Sequence, residues 1–159
     1  MADQILIAYY SWAGSTARLA RQIHDKTGGE LFEIIPQVPY PGDYDACTVQ
    51  AKKEIQAGYK PELKTSIAGL EKFGVILLGS PNWWSSLAPP AARFLSESDL
   101  GGKIIAPFCT HGGGGQGHIV KDIEKLCPRS KVLTCLAVGG RSGLVDEHLQ
   151  AWLKQAGVA

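Results

Sequence analysis

A chain of 159 residues, 45% hydrophobic and 19% charged, is long enough to bury a core without covalent staples and too apolar to be disordered. Its formal net charge is +1, with no basic block or stripe, which excludes the footprint of a nucleic-acid binder and a polybasic membrane anchor. The opening MADQILIAYY lacks the basic flank and apolar length of a signal peptide, and no stretch reaches the ~18 apolar residues of a membrane span. Cys47, Cys109, Cys127 and Cys135 have no metal-like spacing, so the expectation is a cytoplasmic protein with reduced, packing cysteines, no metal and no membrane insertion.

The first apolar run, residues 4–10 (QILIAYY), has the near-continuous character of a strand buried on both faces. It leads through Ser11-Trp12-Ala13-Gly14-Ser15-Thr16 into a helix over 15–26 that places Leu19 and Ile23 at i, i+4. Residues 30–35 (ELFEII) alternate and predict a half-exposed edge strand. The stretch 37–66 is long for one crossover. It opens PQVPYPGDY and closes AGYKPEL, and between them a helix over 43–57 would put Tyr44, Cys47, Ala51 and Ile55 on one face.

Residues 74–79 (GVILLG) predict the third strand, followed by Ser80-Pro81-Asn82-Trp83-Trp84-Ser85-Ser86. Pro89-Pro90 suits the first turn of a helix that includes 91–95. The fourth strand, 103–109 (KIIAPFC), contains Pro107, which has no N–H for the ladder and predicts a local bulge. Next come THGGGGQGH and a helix over 117–126 with Ile119, Ile123 and Leu126 on one face. A fifth strand over 132–138 (VLTCLAV), a loop with Arg141 and Ser142, and a last helix striped by Val145, Leu149, Trp152 and Ala156 complete the chain. This alternation predicts one doubly wound α/β domain over residues 1–159.

In such a sheet, ligands bind beyond the carboxyl ends of the strands. The loop after the first strand suits an anion: Ser11, Ser15 and Thr16 bring hydroxyls, Gly14 permits a tight turn, and a helix N-terminus follows. No lysine or arginine precedes Arg18, so this reading gives the anion neutral donors. The loop lacks the lysine of a Walker A motif, and the strand ends lack the acids of a phosphoacceptor receiver. Gly112, Gly114 and Gly117 spell G-x-G-x-x-G. A dinucleotide fingerprint also needs an acid about 20 residues on, where this chain reads Ala137-Val138-Gly139-Gly140. Backbone glycines lying against a flat ring are the better use of that loop.

The S-x-x-G-x-T segment resembles the flavodoxin phosphate loop. The order P-x-W-W, P-P, then GK-I-I-A-P-F-x-T-H-G-G, together with P-Y-P-G-D-Y, resembles small flavodoxin-like FMN-binding proteins over nearly the whole chain. That resemblance implies a five-stranded parallel sheet in the order 2-1-3-4-5, helices on both faces, and FMN as cofactor. It implies phosphate contacts from Ser11, Trp12, Ala13, Gly14, Ser15 and Thr16, with Ala13 standing where a hydroxyl is common. Ring contacts fall to Pro81, Asn82, Trp83 and Trp84 on one side and to Thr110, His111, Gly112 and Gly113 on the other. Two adjacent indoles point opposite ways in extended chain, so one stacks and one packs.

His111 is the candidate for a catalytic or rim-bonding role, while His24, His118 and His148 read as surface or packing residues. Arg141 and Ser142 could reach the same edge. Electron-shuttle flavodoxins are usually acidic and often carry glycine where a peptide rotates on one-electron reduction. This chain is near neutral, and in S-P-N-W-W-S-S only Asn82 readily tolerates positive φ. The expectation is two-electron reduction of a quinone or similar small acceptor, driven by NAD(P)H or a redox protein partner. A one-electron carrier and a non-catalytic flavodoxin-like scaffold are the alternatives. Nothing in the sequence sets the oligomeric state.

Overall fold

The computed structural model describes residues 4–139 and 146–158. Three long parallel strands form its centre: β1 (Gln4–Tyr9), β3 (Phe73–Trp83) and β5 (Ile104–His111). β2 (Glu30–Glu33) lies outside β1, and two short strands, β6 (Lys131–Val132) and β7 (Leu136–Gly139), share the place beyond β5. The order β2-β1-β3-β5-β6/β7 is the expected 2-1-3-4-5 sheet, its last position built in two pieces. β4 (Ser86–Leu87) adds a short antiparallel pairing at the end of β3.

The period of two along each central strand makes two cores. Leu6, Ala8, Ile76, Leu78, Ile105 and Cys109 face one side, where they meet α2 (Tyr44–Ala57), α3 (Pro89–Glu97) and α4 (Ile119–Leu126). Ile7, Leu77, Ala106 and Phe108 face the other, against α1 (Ser15–Thr27) and α5 (Asp146–Gln155). Three helices bring residues of their predicted stripes: Leu19 and Ile23 from α1, Ile119 and Ile123 from α4, and Leu149 and Trp152 from α5 are all buried. Val145 lies outside the described residues.

Pro107 does not make a bulge. β5 runs against β3 in unbroken register from Val75↔Ile104 to Pro81↔Thr110. The carbonyls of Lys103 and Ile105 accept from Lys131 and Leu133 on the outer side, so by strand alternation the missing N–H of Pro107 also faces outward. It is there that the outer strand breaks between β6 and β7, and no donor is needed.

Two element ends also differ from expectation, each for a local reason. β3 continues to Trp83 because it folds back on β4, with Asn82↔Leu87 and Trp83↔Ser86 paired. α4 begins at Ile119, later than 117, because Gly117 takes a left-handed φ of 54° and His118 is the N-cap residue. α2 matches the predicted 43–57 helix, with the Asp43 carboxylate accepting from Ala46 N at 2.9 Å. Cys47 and Ala51 are buried as its pattern requires, but Tyr44 is 68% exposed. It stands over the strand ends and not in the core.

Candidate functional site

The loops after β1, β3 and β5 meet at the carboxyl ends of the strands and, with α2, enclose a cleft of about 750 Å3. Of the residues singled out as cofactor contacts, all except Gly14 and Gly113 line it. Gly14 lies behind the lining as the residue preceding α1, at φ 98°, and the Gly113 N–H donates to His111 Nδ1 at 3.0 Å.

The first loop is shaped by its own hydroxyl: Ser11 Oγ accepts from Gly14 N at 3.1 Å. Thr16 is buried, and its hydroxyl bonds that of Thr110 at 2.8 Å, joining the loops after β1 and β5. Ser15 is exposed and lines the cleft. No side chain caps α1, and its first turn holds no acidic residue. The same protein caps α2 with Asp43 and adds Asp45. The contrast leaves α1 with free N–H groups and a positive dipole end facing the cleft.

The tryptophans divide, one inward and one outward, although Trp84 lies in the turn after β3 and not in extended chain. Trp83 turns inward, edge-on to Tyr10 at 5.5 Å and Tyr40 at 5.0 Å between ring centroids. Trp84 turns outward and is 51% exposed, with Nε1 donating to the Thr48 carbonyl of α2 and Lys52 Nζ 4.9 Å from its ring centroid. Positive φ falls on Trp84 (55°) and Ser85 (64°), and not on Asn82. The two-residue hairpin between β3 and β4 explains this, since its tight turn needs both central residues left-handed. For L side chains each costs about 1–2 kcal/mol.

Contacts from the glycine loop and from α4 hold that hairpin in place. Ser85 O accepts from His118 N at 2.8 Å, and Asp122 Oδ2 accepts from Leu87 N at 3.0 Å. Gly117 packs so closely that a Cβ would lie 2.4 Å from Ser85 O. Asn82 Nδ2 donates to Gly115 O at 2.7 Å, leaving Asn82 Oδ1 buried and without a partner among the described residues. The third glycine of G-x-G-x-x-G therefore serves backbone-to-backbone contact between two walls of one cleft. His111 Nδ1, engaged by Gly113, braces the same loop.

Several lining residues escaped the sequence reading: Arg18, Leu19 and Gln22 of α1, Tyr44, Thr48 and Ala51 of α2, and Val138 and Gly139 of β7. The helical face containing Tyr44 and Ala51 was visible in the sequence, but not that it borders the cleft. The segment before α2 places that helix. Tyr40 is buried and donates to Glu54, and Pro41 O accepts from Trp12 Nε1 at 3.1 Å. Burial pushes the Tyr10 and Tyr40 phenols far above the usual tyrosine range, helped for Tyr40 by the bond to Glu54. Burial likewise pushes up the Cys47 thiol in the cleft wall, which disfavours a nucleophilic thiolate. Ser11 to Ala13 also wall a smaller, mostly apolar cleft of about 490 Å3 beside Ile34 and Pro39. Arg141 and Ser142 lie outside the described residues. Among the described residues no His, Cys, Asp and Glu cluster could hold a metal ion, and no helix is long and apolar enough to cross a membrane.

Known structures share this architecture. A protein from Bacteroides eggerthii assigned as a flavoprotein superposes with a TM-score of 0.88 at 26% identity, covering 99% of this chain and 100% of its own. A Lactobacillus acidophilus flavoprotein in complex with FMN gives 0.78 at 24% identity over 95% and 99% of the two chains. The apo form of the L. acidophilus flavoprotein gives 0.71 at 25% identity over 96% and 98%. No curated protein sequence matches significantly. The flavodoxin family model matches residues 4–156, almost the whole chain, and with the parallel sheet and the three-loop cleft at its carboxyl edge this establishes that the chain belongs to the flavodoxin family.

Proposed function

We propose that the cleft binds FMN and that the protein is an FMN-dependent redox protein, delivering electrons in pairs to a quinone or similar small acceptor. The observation that carries this reading is the uncapped N-terminus of α1, open to a cleft whose other walls are an indole-bearing hairpin and a glycine loop. The residues fit the cofactor. A phosphate matches the free N–H groups and Ser15, and a flat ring matches the slot between Pro81–Trp84 and Thr110–Gly112. Asn82 Oδ1 is an acceptor in the same wall with no partner among the described residues. The FMN of the L. acidophilus protein, which shares the fold, supports the choice.

Bound FMN supplies a ring that takes up and releases electrons. The protein's residues position it: Ser11 and Gly14 shape the phosphate loop, Thr16 ties that loop to Thr110, and Trp84 flanks the mouth. The pairwise reading is supported by the hairpin. The Ser85 carbonyl is already engaged by His118 N and crowded by Gly117, so a peptide rotation there would break an existing bond. NAD(P)H or a redox protein would serve as donor.

The visible spectrum of the purified protein is the first test. A flavin absorbance, or for colourless protein a rise in Tm with added FMN, is expected, equivalent to about 2.7 kcal/mol at 100 times Kd. Absence of both points instead to a non-catalytic scaffold. Anaerobic photoreduction then decides the electron count: direct passage to the fully reduced ring is expected, and an abundant, persistent one-electron-reduced species would return the protein to the carrier class.

A further inference from the structure

We infer that Arg18 is the ionic partner of the phosphate of bound FMN and makes the protein select the phosphorylated flavin over riboflavin. The inference rests on the FMN reading of the cleft and adds a cation to a phosphate site that the sequence reading filled with neutral donors only.

Arg18 is the fourth residue of α1 and lines the cleft beside Ser15 and Thr16. Helical Cα–Cβ bonds tilt toward the N-terminus, so a side chain one turn into α1 leans over its first turn, where the free N–H groups lie. Among the described residues no Asp or Glu lines the cleft, and Arg18 is its one lining Lys or Arg. Arg18 also forms no ion pair there, whereas Arg93 and Arg129 are neutralised by Glu97 and Asp99. A cation near an uncapped helix N-terminus has the wrong sign for the helix dipole. An anion at the terminus reverses that: the dipole, the N–H groups and the guanidinium then act on it together. A phosphate monoester is a suitable anion, since a guanidinium can meet two of its oxygens at once. The neutral hydroxyl end of riboflavin offers no such partner.

The test compares FMN and riboflavin binding, by quenching of flavin fluorescence, in the wild-type chain, Arg18→Gln and Arg18→Lys. Arg21→Gln serves as control, because it makes the same charge change on the same helix and does not line the cleft. Arg18→Gln should weaken FMN about 10-fold or more and leave riboflavin within about twofold. Lysine should restore part of the loss, and the control should bind FMN like the wild type. Raising salt should weaken FMN binding by the wild type more than by Arg18→Gln. Equal weakening of both flavins would mean that Arg18 shapes the cleft, and unchanged FMN affinity would mean that it does not reach the phosphate. Either result overturns the inference. A wild-type chain that binds neither flavin overturns it together with the FMN reading, a result distinct from failure of Arg18 alone, in which the wild type binds FMN and Arg18→Gln binds it equally well.

Discussion

Replacing Gly117 with alanine tests whether the glycine loop and the tryptophan hairpin form one wall or two. A Cβ at this position would lie 2.4 Å from Ser85 O and 2.7 Å from Ser85 C and Cα. These are backbone atoms, so one segment must retreat by roughly 1 Å to regain ordinary contact. Overpacking of that kind costs about 1–3 kcal/mol, and stretching the His118 N to Ser85 O bond removes about 1 kcal/mol more. Alanine at φ 54° adds the left-handed penalty, about 1–2 kcal/mol. The sum is about 3–6 kcal/mol.

Gly115 provides the control within the same loop. Its φ is 69°, yet nothing lies within 4 Å of a Cβ built there. Gly115→Ala should therefore carry only the left-handed term of about 1–2 kcal/mol. Urea denaturation of both apo variants, compared at equal m-values, isolates the contact as their difference, expected at about 2–4 kcal/mol. FMN affinity should fall in the same order. If the two variants lose stability to within about 0.5 kcal/mol of each other, the loops are not in firm contact and the account of a shared wall is wrong.

Thr16→Val and Thr110→Val should each cost about 1–2 kcal/mol by leaving one hydroxyl in the wall without its partner. The double variant should cost little more than either single one, and simple additivity in denaturant would show that the two hydroxyls are not coupled. Trp83→Ala should lower stability by about 2–4 kcal/mol through lost packing on Tyr10 and Tyr40, while Trp84→Ala should cost under about 1 kcal/mol; equal losses in thermal unfolding would contradict their opposite orientations. The raised pKa values of Tyr10 and Tyr40 predict alkaline lability. Their neutral forms are favoured in the folded state, so the associated stability is complete below the unfolded tyrosine pKa near 10 and is lost as pH rises from there toward the folded values. Each contributes a slope of about 1.4 kcal/mol per pH unit. Tyr40→Phe should reduce the fall by that amount, and an unaltered alkaline profile would refute the assignment.

What could be read from sequence follows from which signals are local. Strand alternation and the three helical stripes are local periodicities, and β1, α1, α4 and α5 carry the buried residues they foretold. The loop chemistry was local too, so Ser11–Thr16, Pro81–Trp84 and Thr110–Gly112 were identifiable as residues for one edge. The misreadings involve partners distant in sequence. Whether Pro107 needs a bulge depends on where the outer strand breaks, more than twenty residues later. Positive φ on Trp84 and Ser85 goes against local preference. It is imposed by β4 and maintained by His118, Gly117 and Asp122. Tyr44, Cys47 and Ala51 share a helical face by period alone, and only the docking of α2 beside Trp84 sets that face along the cleft.

The same long-range contacts explain why such a site can exist on loops at all. Loops are ordinarily the least stable parts of a domain, and a cofactor that had to order them on binding would bind correspondingly weakly. Here each loop is tied to another: Thr16 to Thr110, Asn82 to Gly115, Ser85 to His118, and Trp84 to α2. The ties cost stability in places, through two left-handed L residues and an Asn82 Oδ1 unpaired among the described residues. Such costs are tolerable when spread over a core buried on both faces of the sheet. They set the walls before any ligand arrives, leaving the terminus of α1, the neighbouring Arg18 and the mouth beside Trp84 as the parts free to respond to what binds.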